Sequence, residues 1–161
     1  MPKETISKVP SSKQRLPMVA KTTWKGGIVT AVVSNKVCPS TKEVVEAVSK
    51  GLPVAELDDL SEAMGVTAKG LGTMLGISQT TLVRRRAMGT LKPSESDRVV
   101  RFAHLMRRAI AVFGSRENAL DWLRSPQFGL GGKVPLRYAE TEVGAREVAD
   151  LLGRIDYGVY S

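Results

Sequence analysis

The 161-residue sequence has little of what most enzyme and metal sites require. It contains one cysteine, Cys38, which excludes an intramolecular disulfide and a cysteine-cluster metal site. It contains one histidine, His104, which removes most histidine-based metal and acid–base arrangements. No nucleophile is paired with a base, and the acidic residues alternate with arginines as on solvated helix faces. We therefore predict a protein that is not an enzyme and binds no metal or cofactor.

Long apolar segments are absent as well. No run approaches the ~18 residues needed to cross a bilayer, and no apolar signal-peptide core follows the basic N-terminus. Together with the single cysteine, this composition predicts a cytoplasmic protein without a membrane partner.

Basic residues outnumber acidic ones, with 24 Lys and Arg against 16 Asp and Glu. The formal net charge is +8, and residues 1–50 hold nine Lys and Arg residues against three acidic ones. Such a segment is typical of proteins that contact phosphate backbones, although a solvated tail has the same composition. Prolines and weak helical periodicity predict that residues 1–39 form a flexible arm. Within it, the β-branched stretch GGIVTAVVS (26–34) is also compatible with a short strand, but no partner strand is evident.

From residue 40 onwards, apolar residues recur at spacings of three and four, which predicts an all-α fold of six or seven helices. Ser40 and Glu43 are spaced as a capping box at the start of the first. The longest predicted helix opens at Ser94, and His104 lies on its polar face. Its apolar face contains Val99, Phe102, Ala103, Met106, Ile110 and Phe113.

Residues 68–88, AKGLGTMLGISQTTLVRRRAM, match the pattern of a helix-turn-helix. Gly72 is the small residue where the helices cross, and Gly76 allows the positive φ of the turn. We predict that the second helix enters a DNA major groove through Gln79, Thr80, Thr81, Arg84, Arg85 and Arg86. Arg85 stands where this motif usually has an apolar residue, so its methylenes are expected to pack while its guanidinium reaches solvent or DNA. The alternatives are an ordinary αα-corner with a charged second helix and a helix-turn-helix that serves only as a protein-binding scaffold.

Residues 125–136, SPQFGLGGKVPL, are rich in glycine and contain one lysine, as phosphate-binding loops do. Such a loop follows a strand and ends in GK[ST], whereas here a helix precedes and Val134 follows Lys133. We interpret the segment as a connection that fixes the angle between two helices and binds nothing itself. Trp122 either packs at this corner or lies at an interface.

Three blocks, ALDWLRSP (119–126), LGGKVPL (130–136) and TEVGAREVADLLGRIDYGV (141–159), resemble the C-terminal domain of Xre/MbcA/ParS-type antitoxins in order and spacing. The segments LGISQTTLVRRR and ESDRVVRFAHLMRRAIAVFG upstream resemble that family's helix-turn-helix and connecting helix. The resemblance covers about residues 40–161. The matching C-terminal positions are Ala119, Trp122, Leu123, Pro126, Gly131, Pro135, Leu136, Thr141, Gly144, Val148, Leu152, Arg154, Ile155 and Gly158.

The resemblance implies an antitoxin of a type II toxin–antitoxin pair. Members of the family usually neutralise a RES-domain toxin, which consumes NAD or transfers ADP-ribose from it, by covering its active site. They dimerise, and they generally repress their own operon by binding operator DNA through the helix-turn-helix. The domains implied are an arm (1–39), an Xre/Cro-like helix-turn-helix domain (40–92) and a helical toxin-binding domain opened by the long helix (93–161). The alternative is a stand-alone regulator whose C-terminal helices serve only dimerisation.

The C-terminal tail RIDYGVYS carries aromatic residues that are hard to place in a core. Exposed aromatics make good interface anchors, and a carboxylate behind them would complement a cationic NAD pocket. We therefore predict toxin contacts from Arg154, Tyr157, Gly158, Val159, Tyr160 and Ser161. The alternative is that the aromatics fold back onto the domain's own surface.

Overall fold

The computed structural model describes residues 27–34 and 39–158, and within these ranges the chain is all-α, as predicted. No helix in these ranges is both long enough and apolar enough to cross a membrane. In chain order, the helices are α1 (Ile28–Ser34), α2 (Thr41–Lys50), α3 (Ala55–Ala63), α4 (Ala68–Met74), α5 (Gln79–Met88), α6 (Pro93–Phe113), α7 (Arg116–Arg124), a 3-10 turn (Phe128–Leu130), α8 (Pro135–Tyr138) and α9 (Glu142–Asp156).

Helix α6 is the centre of the fold, because α1, α2, α3, α7 and α9 all pack against it. The predicted apolar face is confirmed: Val99, Phe102, Ala103 and Met106 are buried, and Ile110 and Phe113 are partly buried against the same core. Leu105 and Ala109 are buried too, since neighbouring helices cover α6 on more than one side. Helix α6 therefore joins the earlier helices α1, α2 and α3 to the later helices α7 and α9 in one core.

The start of α6 differs slightly from the prediction. The helix begins at Pro93 rather than Ser94, and Lys92 is its N-cap residue. The carboxylate of Glu95 accepts the Lys92 backbone N–H at 2.7 Å. Proline suits the first helical position because the N–H that it lacks would have no partner there.

The helix-turn-helix geometry agrees with the sequence pattern. A Cβ at Gly72 would lie 3.3 Å from the Ile77 carbonyl oxygen, so the small residue stands where the chain approaches most closely. Gly76 has a φ of +66°, the left-handed conformation that the turn requires. Ser40 and Glu43 form the predicted capping box of α2.

Residues 28–34, which the sequence analysis placed in a flexible arm with a strand as the other reading, form neither, because Ile28–Ser34 is helix α1. The carboxylate of Glu56 accepts the backbone N–H groups of Ile28 and Val29 at 2.7 and 2.8 Å. Those donors have no partner within the helix, and a carboxylate at a helix N-terminus also suits the helix dipole. Val29 and Val32 are buried in the shared core, and this burial outweighs the modest strand preference of valine. Residues 1–26 and 35–38 of the predicted arm, with Cys38 among them, lie outside the described residues.

The glycine-rich segment forms a closed turn between α7 and α8. The Gln127 N–H donates to the Lys133 carbonyl at 3.0 Å, and Gly131 and Gly132 both have positive φ. Trp122, on the helix before it, is half-buried with its ring centroid 5.4 Å from that of Phe113. The segment is therefore a connection with a defined shape.

Candidate functional site

Helix α5 presents one open face. Gln79, Thr80 and Arg84 are exposed on it, while Leu82 on the opposite side is buried against the core. Val83, which the sequence analysis did not single out, is 60% exposed beside them. Hydroxyl, guanidinium and methyl groups on one helix face are the groups that read base edges in a major groove. The position of Val83 in the sequence, between the buried Leu82 and the exposed Arg84, could have indicated that it belongs to this face.

Thr81 is tied into the N-cap of α5 and is only half-exposed. Its backbone N–H donates to the Ser78 hydroxyl oxygen, and the Ser78 hydroxyl donates to its Oγ1 at 2.9 Å. These contacts fix the first turn of the helix, so Thr81 orients the exposed face more than it extends it.

The prediction that Arg85 contacts DNA is corrected by the structure. Arg85 is only 3% exposed, and its Nε and Nη2 donate to the two carboxylate oxygens of Glu95 at 2.8 and 3.2 Å. Two donors on two acceptors form a bidentate pair, in which both charges are desolvated together. The whole side chain therefore packs inward, in the position where the motif usually holds an apolar residue.

The environment of Glu95 favours its charged form. Burial alone would raise the pKa of this carboxyl, but the hydrogen bonds from Arg85 and the Lys92 backbone outweigh burial and lower it. Glu95 is therefore ionised at neutral pH and completes the pair that joins α5 to the first turn of α6.

Arg86 lies at the surface but is already partnered. Its Nη2 is 2.8 Å from Oδ1 of Asp58 on α3, and both side chains are about half exposed. Exposed pairs of this kind contribute at most about 1 kcal/mol, so exchange of Asp58 for a phosphate costs little.

Of the residues predicted to contact a toxin, the structure describes three, which lie at or just after the end of α9: Arg154, Tyr157 and Gly158. Tyr157 is 82% exposed, and Gly158 has a φ of +68° just after the helix. Arg154 is half-buried, and its Nε is buried without a hydrogen-bond partner among the described residues. Val159, Tyr160 and Ser161 lie outside the described part of the chain.

Two apolar side chains that the sequence analysis missed are largely exposed in the same half of the chain. Phe128, in the glycine-rich turn, is 98% exposed, and Val143 on α9 is 74% exposed. The signal for Phe128 was an aromatic residue in a glycine-rich loop, with no helical stripe to bury it. Exposed aromatics on a defined backbone are typical of binding surfaces.

A cleft of about 390 Å³ lies between α6 and α9. Its floor is apolar and contains Leu105, Ala145 and Ala149. Four arginines and one acidic residue, Glu142, line its sides: the arginines are Arg101, Arg107, Arg108 and Arg146.

His104 lies on the polar face of α6, as predicted, beside Arg101, Arg107 and Arg108. His104 is half-buried and lines this cleft, because α9 crosses that side of α6. Burial and then the charge of Arg107 lower the pKa of His104, so its imidazole is neutral at pH 7. Among the described residues, no three His, Cys, Asp or Glu side chains are grouped as metal ligands.

The chain resembles known proteins over both halves. Residues 43–104 match the family model of the antitoxin Xre-like helix-turn-helix domain, and residues 108–158 match that of the antitoxin Xre/MbcA/ParS C-terminal toxin-binding domain. Antitoxin Xre of Yersinia enterocolitica is 35% identical over 120 residues, which are 73% of this chain and 81% of that protein. Antitoxin Xre of Photorhabdus laumondii is 32% identical over 115 residues, 70% of this chain and 78% of its own length. Antitoxin Xre of Pseudomonas putida is 37% identical over 68 residues, 42% of this chain and 43% of its own length.

Proposed function

The chain belongs to the Xre family of antitoxins and has both its helix-turn-helix and its toxin-binding domain, and from this premise we propose that it neutralises one toxin and represses its own operon. The toxin proposed is a RES-domain protein that consumes NAD or transfers ADP-ribose from it. Neutralisation is by coverage of the toxin's active site, so the chain itself catalyses nothing and needs no cofactor. The protein acts in the cytoplasm as a homodimer.

The observation that carries this proposal is the separation of two surfaces along α6. The exposed face of α5 is joined to the first turn of α6 through Arg85 and Glu95. Arg108, thirteen residues after Glu95, packs over Gly153 of α9. At 1.5 Å per helical residue the two anchor points are about 20 Å apart, which leaves room for DNA at one end and a protein at the other.

We assign operator contacts to Gln79, Thr80, Thr81, Val83, Arg84 and Arg86, with residues 40–92 as the DNA-binding part. Arg84 is suited to a guanine edge or a phosphate, and Val83 to a thymine methyl group. Because phosphate contacts release counterions, binding to the operator should weaken steeply as salt is raised. A flat salt response of the wild-type protein would contradict this assignment.

We assign toxin contacts to Arg154, Tyr157 and Gly158, together with the tail residues Val159, Tyr160 and Ser161, within residues 93–161. The exposure of Tyr157 supports this, and the exposure of Phe128 extends the surface to the glycine-rich turn. Aromatic anchors of this kind contribute most when a partner's pocket desolvates them.

The experiment that tests the function is rescue in cells. The gene beside this one is expressed alone and then together with this chain, and cell growth and NAD content are measured. The proposal predicts loss of growth and of NAD with the neighbour alone, and recovery of both with the pair. A neighbour that is harmless alone would favour a stand-alone regulator, and loss of growth without loss of NAD would point to ADP-ribosyl transfer to protein.

A further inference from the structure

The cleft between α6 and α9 holds more positive charge than its own acidic residues neutralise. Arg101 pairs with Asp97 on α6 at 2.6 Å, and Arg146 pairs with Glu142 on α9 at 2.8 Å. In the described ranges, neither Arg107 nor Arg108 forms an ion pair. Two guanidinium groups therefore share one cleft, and no carboxylate of the described residues is paired with either.

The Arg107 side chain also has a hydrogen-bond donor without an acceptor among the described residues. Its Nε is buried and has no hydrogen-bond partner among the described residues. Buried donors in folded proteins are nearly always satisfied, and an orphaned one calls for a specific acceptor. Nε itself is closed to solvent, but Arg107 lines the cleft, so a small shift of its side chain would bring the guanidinium to an acceptor that enters.

Arg108 is held where it can bind the same group. A Cβ at Gly153 would lie 2.8 Å from Arg108 Nη2, so the glycine lets the guanidinium lie close over α9 without being displaced. The planar guanidinium matches the two oxygens of a carboxylate, and the apolar floor of the cleft accommodates the methylenes behind one.

We propose that this cleft binds an acidic segment of the toxin, with Arg107 and Arg108 as the carboxylate-binding residues. This inference rests on the proposed function and adds a contact surface separate from the exposed aromatic residues. Helix α9, which forms one wall of the cleft, lies within the region that matches the toxin-binding domain.

Charge and position favour the toxin over the other occupants. A second copy of this chain, with net charge +8, would bring arginines against arginines in a two-fold contact. Operator DNA is held by α5, which is joined to the first turn of α6, whereas Arg107 and Arg108 lie about 20 Å further along α6.

The test compares two double variants of the full chain in binding to the purified product of the neighbouring gene. Arg107→Gln with Arg108→Gln should weaken toxin binding at least about tenfold and reduce its salt dependence, since two ion pairs are lost. Lys42→Gln with Lys50→Gln removes the same charge from the exposed surface of α2 and should leave the affinity within about twofold. Thermal unfolding of each variant shows whether it is folded.

A second measurement works on the wild-type protein and so does not depend on how a variant folds. Phenylglyoxal modifies accessible arginines, and mass spectrometry locates them. Bound toxin should protect Arg108, while Arg137 on α8, outside the cleft, serves as the reference.

One outcome would overturn this inference and leave the proposed function intact. In that outcome, the wild-type protein and the Arg107/Arg108 variant bind the toxin equally well, and Arg108 stays reactive in the complex. Protection by operator DNA, or by concentration of the free chain, would overturn it in favour of those occupants. Failure of the wild-type protein to bind the neighbour's product would overturn the proposed function, and this inference with it.

Discussion

The guanidinium of Arg85 lies inside the protein against the carboxylate of Glu95, with Nε and Oε2 2.8 Å apart. Arg84, the preceding residue on α5, is exposed. Two adjacent arginines of one sequence run therefore have different roles, one in holding the recognition helix to α6 and one in facing a ligand.

The first prediction separates these roles. Arg85→Ala should lower the free energy of unfolding by about 3–5 kcal/mol, because the buried Glu95 carboxylate loses its ion-pair partner and keeps only the Lys92 N–H. Arg84→Ala should leave stability within about 0.5 kcal/mol and weaken operator binding by about 1–3 kcal/mol. Urea unfolding and DNA titration of both variants measure these effects. Equal stability losses in the two variants would contradict the assigned roles.

The fold could be predicted from the sequence wherever short-range chemistry decides it. Gly72 and Gly76 mark the crossing and the turn because those conformations admit little else, and Ser40 with Glu43 marks a helix start three residues apart. Helix α1 could not be predicted, because its N-terminus is satisfied by Glu56, 27 residues away in sequence from Val29.

The candidate sites, too, could be predicted only where neighbouring residues in the sequence decide them. The exposed side of α5 could be read from helical periodicity, but the burial of Arg85 depends on Glu95 in another helix. The cleft at His104 depends on how α9 crosses α6, which periodicity does not give. The exposure of the Phe128 ring could not be predicted, because the surrounding sequence does not show that no other side chain packs over it.

The second prediction concerns pH. Because the folded protein lowers the pKa of Glu95, its pair contributes stability above the pKa of an unfolded-state glutamate, about 4.3. That contribution is lost as the pH falls through the lower pKa of the folded state. Wild type should therefore be more stable than Glu95→Gln at pH 7, and the difference should shrink below about pH 4. A difference that stays constant across this range in thermal melts would contradict the ionised pair.

The third prediction concerns α1. Glu56→Ala removes the acceptor of the Ile28 and Val29 N–H groups and should release this helix from α3, at a cost of about 1–3 kcal/mol. Hydrogen exchange of residues 28–34 should become faster, while α5 keeps its protection. The exposed Glu62→Ala on the same helix is the control and should change neither.

The fourth prediction concerns the glycine-rich turn. Phe128→Ala should not lower stability, because the ring is almost wholly exposed. It should weaken toxin binding by about 1–2 kcal/mol if a partner's pocket takes up the ring. Met88→Ala, another exposed apolar residue but at the end of α5, is the control. Unchanged toxin affinity for Phe128→Ala would remove this turn from the contact surface.

The central claim is that one chain holds two separate binding surfaces, and paired affinities of two variants test it most directly. Arg84→Ala and a truncation after Ile155 are each titrated with operator DNA and with the product of the neighbouring gene. Arg84→Ala should lose DNA affinity and keep toxin affinity, whereas the truncation should keep DNA affinity and lose toxin affinity. A truncated protein that still neutralises the toxin fully, or an Arg84 variant that loses both ligands together, would contradict the account.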